Sequence, residues 1–184
     1  MGRPTALSLA ALAALALLIS AAPARAAGGL IGLDAMTATV FQEHQSSFSG
    51  LAIRSRFHDS RFLDNVEFLP TVEYWRNSSS VGAFGLRATR RDATLGMDAR
   101  WMFPGDVWRF YAGGGVGVHF ISNEVTAPSY GLNGNDSLTK GGLALLGGAA
   151  FGTKGRLGNF IEAKAHLIGN FRQLKINMGL SWNR

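Results

Sequence analysis

The stretch Gln173-Leu174-Lys175-Ile176-Asn177-Met178-Gly179-Leu180-Ser181-Trp182-Asn183 decides the fold. Leu174, Ile176, Met178, Leu180 and Trp182 fall on one face of an extended chain. Gln173, Lys175, Asn177, Gly179, Ser181 and Asn183 fall on the other. Successive side chains of a strand point to opposite faces, so this is a ribbon with one apolar and one polar side; a helix would mix the two sets.

The same alternation recurs upstream. Ile161, Ala163, Ala165 and Leu167 oppose Glu162, Lys164 and His166. Trp108, Phe110, Ala112, Val116, Val118 and Phe120 oppose Arg109, Tyr111, Gly113, Gly115, Gly117 and His119. Ala93, Leu95, Met97, Ala99, Trp101 and Phe103 oppose Asp92, Thr94, Gly96, Asp98, Arg100 and Met102, and Val66, Phe68, Val72 and Tyr74 oppose Glu67, Thr71, Glu73 and Trp75. Weaker copies run over 48–57 and 139–151, and over 30–41 neither face stands out. The pattern predicts eight strands, at 30–41, 47–57, 65–76, 91–103, 107–121, 139–152, 158–167 and 172–183. Each is close to the roughly 9–11 residues with which a tilted strand crosses a bilayer. Pro104-Gly105-Asp106 makes a tight turn. The segments 77–90 and 122–138 read as long loops, with Asn133-Gly134-Asn135-Asp136-Ser137 as a turn-rich loop tip. Both fall on odd-numbered connections, as an up-and-down barrel with its N-terminus in the periplasm and long loops outside requires.

The chain starts with an export pattern. Arg3 precedes an apolar run from Ala6 to Ile19, and Ala24-Arg25-Ala26 supplies the small residues a signal peptidase reads. The run is too short for a comfortable spanning helix of about 20 residues, which argues against a retained anchor. Residues 1–26 are therefore expected to be a cleaved signal peptide, with Ala24 as the alternative cut, and 27–184 the barrel domain. Removing Arg3 and Arg25 takes two charges from the net +6 and leaves +4. The remaining basic residues are scattered rather than clustered, so a nucleic-acid partner is not expected. With no cysteine, disulfides, thiolate metal sites and cysteine nucleophiles are excluded.

Alternation alone fits a membrane barrel or a soluble lipocalin-like cup, which differ in the face turned outward. Charged residues are only 16% of the chain, too few for a soluble exterior when many belong to loops. The polar face carries Arg54, Arg56, Glu67, Glu73, Asp98, Arg100, Arg109, Glu162, Lys164, His166 and Lys175, a mixture of signs that fits a lumen filled by side chains. The apolar faces are tipped by aromatics: Phe57, Phe68, Trp101, Phe103, Trp108, Phe110, Phe151, Phe160 and Trp182 toward one end, Phe48, Tyr74, Phe120 and Phe171 toward the other. Phe160 and Phe171 are off the parity of their strands. Such girdles mark membrane interfaces.

Motifs for chemistry are absent or incomplete. Gly113-Gly114-Gly115-Val116-Gly117 lacks the following Lys-Ser or Lys-Thr of a phosphate loop and reads as small residues in a crowded lumen. His44, His58, His119 and His166 have no metal-binding spacing; His119 and His166 share the polar face and are expected to meet as a hydrogen-bonded pair. Glu162 and His166 resemble part of a lipid A deacylase site, but His166-Leu167-Ile168 is not the His-x-Ser pair of such enzymes. Arg87, Arg90 and Arg91 are placed to meet lipopolysaccharide phosphates.

Tyr111-Ala112-Gly113-Gly114-Gly115-Val116-Gly117 after a proline turn, and the endings Phe160–His166 and Gln173–Trp182, resemble the small outer-membrane β-barrel superfamily of the OmpA transmembrane domain, OmpX and opacity proteins. The resemblance covers the whole mature chain. It implies an all-β, eight-stranded antiparallel up-and-down transmembrane β-barrel, monomeric, in the outer membrane of a Gram-negative-type bacterium. It also implies lipid and lipopolysaccharide as surroundings and the barrel-assembly machinery as a partner in biogenesis. Family members usually end on an aromatic residue; here Asn183 and Arg184 follow Trp182. The expected role is structural or surface-interacting, with a plugged lumen, no catalytic site and no cofactor. The alternatives are a lipid A-modifying outer-membrane enzyme and a soluble periplasmic ligand cup.

Overall fold

The computed structural model describes residues 29–42, 47–58, 63–81, 85–152, 154–169 and 171–184, the side chains of Val81 and Phe171 excepted. The expected signal peptide, Met1 to Ala26, and His44 lie outside the described residues. Eight strands follow one another: β1 Gly29–Gln42, β2 Phe48–His58, β3 Val66–Val81, β4 Leu86–Met102, β5 Trp108–Ala127, β6 Leu132–Phe151, β7 Leu157–Ile168 and β8 Phe171–Asn183. Each pairs antiparallel with its neighbours in sequence, and β1 pairs with β8, closing an up-and-down barrel. Closure leaves no sheet edge in the barrel wall.

The strands are staggered as well as closed. From Gly32, paired with Arg56, the register continues to Leu69, which stands opposite Arg56 between the pairs Arg54–Thr71 and Phe57–Phe68, then through Asp98, Gly115, Ala144, His166 and Gln173, and returns to β1 at Gln42. One circuit thus climbs from 32 to 42, which for eight strands corresponds to a tilt of about 40°.

The apolar face points outward. Leu51, Ile53, Met97, Phe110, Val116, Leu143, Leu145, Met178 and Leu180 are exposed, while Asp34, Arg54, Glu73, Asp98, Glu162, Lys164 and Lys175 are buried. This is the reverse of a soluble cup. Trp101, Phe103, Trp108 and Trp182 ring the end that carries the short turns, and Phe41 and Phe120 stand toward the opposite end.

Several expectations are corrected. Phe48 lies inside, 4.6 Å from Trp75 ring to ring, and Phe160 is also inside, so neither belongs to a girdle. The Phe171 side chain is outside the described residues. The first strand, whose face the sequence left open, turns Gly32, Asp34, Met36, Ala38, Val40 and Gln42 inward. Most of the described residues in the segments 77–90 and 122–138 are strand rather than loop. β3 and β4 stay paired up to Val81 and Leu86, and β5 and β6 up to Ala127 and Leu132, where Pro128–Tyr130 forms one turn of 3-10 helix and Gly131 takes a left-handed conformation. Asn133–Ser137 is therefore strand, and the tip is Pro128–Gly131. β5 and β6 have 20 residues each, about 50 Å of height at that tilt. Among the described residues the paired neighbour of β3 past Trp75 is β4 alone, and β6 meets β7 only from Gly142. A four-stranded blade thus rises from one side of the barrel.

Candidate functional site

The lumen is the chemically distinctive region. Because alternate residues point inward, every strand sends a column of side chains toward the axis, and an eight-stranded barrel is narrow enough for those columns to touch. Among the described residues five buried cations, Arg54, Arg56, Arg100, Lys164 and Lys175, face six buried carboxylates, Asp34, Glu67, Glu73, Asp92, Asp98 and Glu162.

Three groups of contacts organise them. On the side of β1, β2 and β7, Arg54 Nε is 2.7 Å from Asp34 Oδ2 and its Nη1 is 2.7 Å from Glu162 Oε2. Glu162 also accepts from the Tyr111 hydroxyl at 3.1 Å and from Asn177 Nδ2 at 3.0 Å. Arg56 Nε faces Asp34 Oδ1 at 2.9 Å, off the hydrogen-bond direction. Its Nη2 donates to Asn183 and to Trp182 O on β8. Gly32 makes that reach possible: a Cβ there would overlap Arg56 Nη2 and Trp182 O. In the second group Lys164 Nζ donates to Glu73 Oε1 at 3.0 Å and to Asp98 Oδ2 at 2.7 Å, and Lys175 donates to Glu73 Oε2. In the third, Arg100 donates twice to Glu67 Oε2, at 3.0 and 2.7 Å. Charge-assisted bonds of this kind lower the cost of taking ions out of water, a cost of several kcal/mol per ion when unpaired.

A smaller polar group lies farther toward the blade. His119 Nδ1 is 3.0 Å from Asp92 Oδ2 and 2.8 Å from Thr94 Oγ1, and Thr94 donates to Asp92 Oδ1 at 3.2 Å. His119 Nε2 is 3.4 Å from His166 Nδ1, with the rings edge to face. Beside them, Ala38, Val40, Phe48 and Trp75 form an apolar cluster in the bore, Trp75 being the cross-strand partner of Asp92; a second cluster, with Met36, Met102, Tyr111, Leu146 and Phe160 among its members, extends toward the short-turn side.

The structure brings ten of the eleven residues singled out on the polar face into these contacts. Arg109 is the exception: it points inward near the short-turn end and makes no ion pair among the described residues. Two carboxylates outside the charged set singled out for the lumen, Asp34 and Asp92, are central. Asp34 was hidden because β1 showed no dominant face; Asp92 was placed on the polar face of its strand, and it does point inward. Arg90 is also corrected: it turns inward, 5.8 Å from the Trp75 ring, whereas Arg87 and Arg91 point outward. Among the described residues no group of three or more His, Asp or Glu side chains is arranged to hold a metal. Glu162 and His166 both lie inside the lumen, away from the lipid-facing surface.

No protein-family model matches the sequence, and no curated protein sequence matches it. Solved structures do. Neisserial surface protein A superposes with a TM-score of 0.64 at 13% identity, covering 85% of this chain and 99% of its own. A major outer membrane protein from Thermus thermophilus gives 0.64 at 14%, covering 85% and 100%. This chain has the fold of the small outer-membrane barrels. Ail, the attachment invasion locus protein of Yersinia pestis, gives 0.59 at 10%, covering 86% and 99%, and has also been solved with the heparin analogue sucrose octasulfate.

Proposed function

We propose that the protein is an integral outer-membrane barrel with a structural or surface-interaction role, whose lumen is closed to ions and whose blade stands outside the cell. The observation that carries this reading is the pairing of an apolar exterior with a lumen crossed by ion pairs from six strands. A porin needs a continuous aqueous bore. Here the bore holds ion pairs whose members touch across the axis, with an apolar cluster on either side. The short turns then face the periplasm, and the export segment at 1–26 and assembly by the barrel-assembly machinery complete the biogenesis. At about 50 Å, β5 and β6 exceed the roughly 30 Å hydrocarbon core, so their far ends stand in water. The protein acts as a monomer, since closure satisfies the backbone of the barrel wall without a partner.

The test is conductance. The mature chain, refolded from detergent with a heat-dependent shift in gel mobility, is inserted into planar bilayers. The expected result is no sustained ionic current. A steady, ohmic, porin-like current would reject the closed lumen. A stable soluble monomer without a gel shift would reject membrane residence.

A further inference from the structure

Above the aromatic girdle on the outward face, the register creates an arrangement that its own charges do not explain. Tyr74, Ala93, Phe120 and Thr139 stand side by side on β3 to β6. The next outward residues, each about 5 Å farther from the membrane centre than its predecessor on the same strand at this tilt, are Arg76, Arg91, Ser122 and Ser137. Arg76 and Arg91 are direct cross-strand partners. Like charges directly opposite one another destabilise a sheet. Only partial relief is present: Arg91 Nη2 is 3.3 Å from Glu124 Oε2 in a partly exposed pair, and Arg76 has no ion-pair partner among the described residues. Arg87 stands farther out on the same face of β4.

Beside Arg76 the barrel wall is concave. A groove of about 350 Å³ runs over the outward face of β1, β2 and β3, lined by Thr37, Thr39, Ser49, Leu51, Tyr74 and Arg76. Its upper part is hydroxyl-bearing, and the next outward pair below Leu51 and Tyr74 is Ile53 and Val72 of the apolar band. The combination is that of an amphiphile with an anionic head: two cross-strand arginines on the outward face, hydroxyls beside them, and an apolar wall below.

We propose that Arg76 and Arg91 form a site for a phosphate group of lipopolysaccharide, with the adjoining groove taking part of the same lipid. This rests on the membrane reading above. The anion offsets the like charge of the two cross-strand arginines, whose guanidiniums present several donors each in a fixed fork suited to phosphate oxygens. A lipid rather than a soluble anion is indicated by depth: Arg76 is the next outward residue after Tyr74 on β3, and Arg91 the next beyond Ala93 on β4, at the edge of the apolar band.

The experiment uses the full mature chain in phosphatidylcholine nanodiscs, titrated with lipopolysaccharide and with the same lipid stripped of its lipid A phosphates. The wild type is expected to bind the phosphorylated lipid more tightly. Arg76→Gln with Arg91→Gln is expected to weaken that binding by about tenfold or more and to leave the dephosphorylated lipid unaffected. Arg156→Gln, at the short-turn end, is the control and should change neither. Equal affinity of the wild type for both lipids, or undiminished binding by the double variant, overturns the site. Displacement of the lipid by inorganic phosphate or sucrose octasulfate at matched anion concentration also overturns it, assigning the arginines to a soluble anion. Heat-shifted gel mobility, checked for each variant, separates these outcomes from failure of the membrane reading: a wild type without the shift rejects that reading, and the site with it.

Discussion

Replacing Lys164 by methionine removes an ammonium while roughly keeping the length of the side chain. The ammonium is shared by Glu73 Oε1 at 3.0 Å and Asp98 Oδ2 at 2.7 Å, and all three groups are buried. The two carboxylates fare differently. Glu73 keeps Lys175, whereas Asp98 has no other cation within ion-pair distance among the described residues. The Lys164–Asp98 attraction at that separation is about 6 kcal/mol at an effective dielectric of about 20, before desolvation is subtracted. Breaking a buried pair on one side typically costs about 3–5 kcal/mol, because the remaining charge stays out of water. Lys164→Met is therefore expected to destabilise the folded barrel by about 3–5 kcal/mol. Adding Asp98→Asn removes the stranded charge and should restore a large part of the loss, giving a coupling of about 2 kcal/mol in the double-mutant cycle. The assay is urea unfolding in phosphatidylcholine vesicles, followed by tryptophan fluorescence and by gel mobility. A loss below about 1 kcal/mol for Lys164→Met, as for a solvated surface pair, or strict additivity in the cycle, would refute the reasoning. The lumen would then behave as water rather than as a packed interior.

Two further expectations follow from facing and crowding. Leu145 is 68% exposed and sits midway along β6 between Phe151 and Thr139. Leu145→Arg should cost about 2–4 kcal/mol of membrane folding, and Thr139→Arg, at the rim, about 0–1; equal folded fractions by gel shift would invalidate the facing. At Gly115 a Cβ would overlap Asp98 Oδ1 and the Met97 carbonyl, whereas at Gly141 it would meet nothing within 4 Å. Gly115→Val is expected to lose about 1–3 kcal/mol through overpacking and Gly141→Val far less, read from the same urea midpoints.

The parts of this fold legible in the sequence are those where burial and lipid exposure alternate residue by residue. β7 reads Leu157 out, Gly158 in, and so on without a break to Ile168, and its face follows from period alone. β1 is obscure because both of its faces are mild. It turns Ala35, Thr37 and Thr39 outward and Met36, Ala38 and Val40 inward, the reverse of the usual polarity, because the apolar cluster with Phe48 and Trp75 occupies that part of the bore. The blade is obscure for another reason. Residues such as Asn133, Asn135 and Ser137 face water on both sides, so nothing in their polarity alternates, and the strand continues because the backbone ladder does. Inward direction can be predicted from parity, but contact cannot. Arg109 and Arg54 share that parity, yet only Arg54 reaches carboxylates, because Asp34 and Glu162 lie at its depth.

Facing and register are separate problems for a membrane barrel, and this sequence solves them with different residues. A slip of one residue turns apolar side chains inward, and lipid penalises it at once. A slip of two keeps every side chain on its own face, and the exterior cannot detect it. The lumen can. Such a slip of β2 would carry Arg54 past Asp34 and Glu162, and one of β7 would carry Lys164 past Glu73 and Asp98, leaving buried charges uncompensated while the backbone ladder stayed intact. β6 contributes no charged side chain to these contacts, so it needs another device. On one side its register with β5 is set by the closed tip at Pro128–Gly131. On the other, Tyr111 of β5 reaches across β6 to donate to Glu162 of β7, and the passage exists only above Gly148, where a Cβ would overlap the Tyr111 ring and hydroxyl. Moving β6 by two residues would bring Leu146 or Ala150 into that passage. The glycine therefore ties the register of β6 to that of β5 and β7.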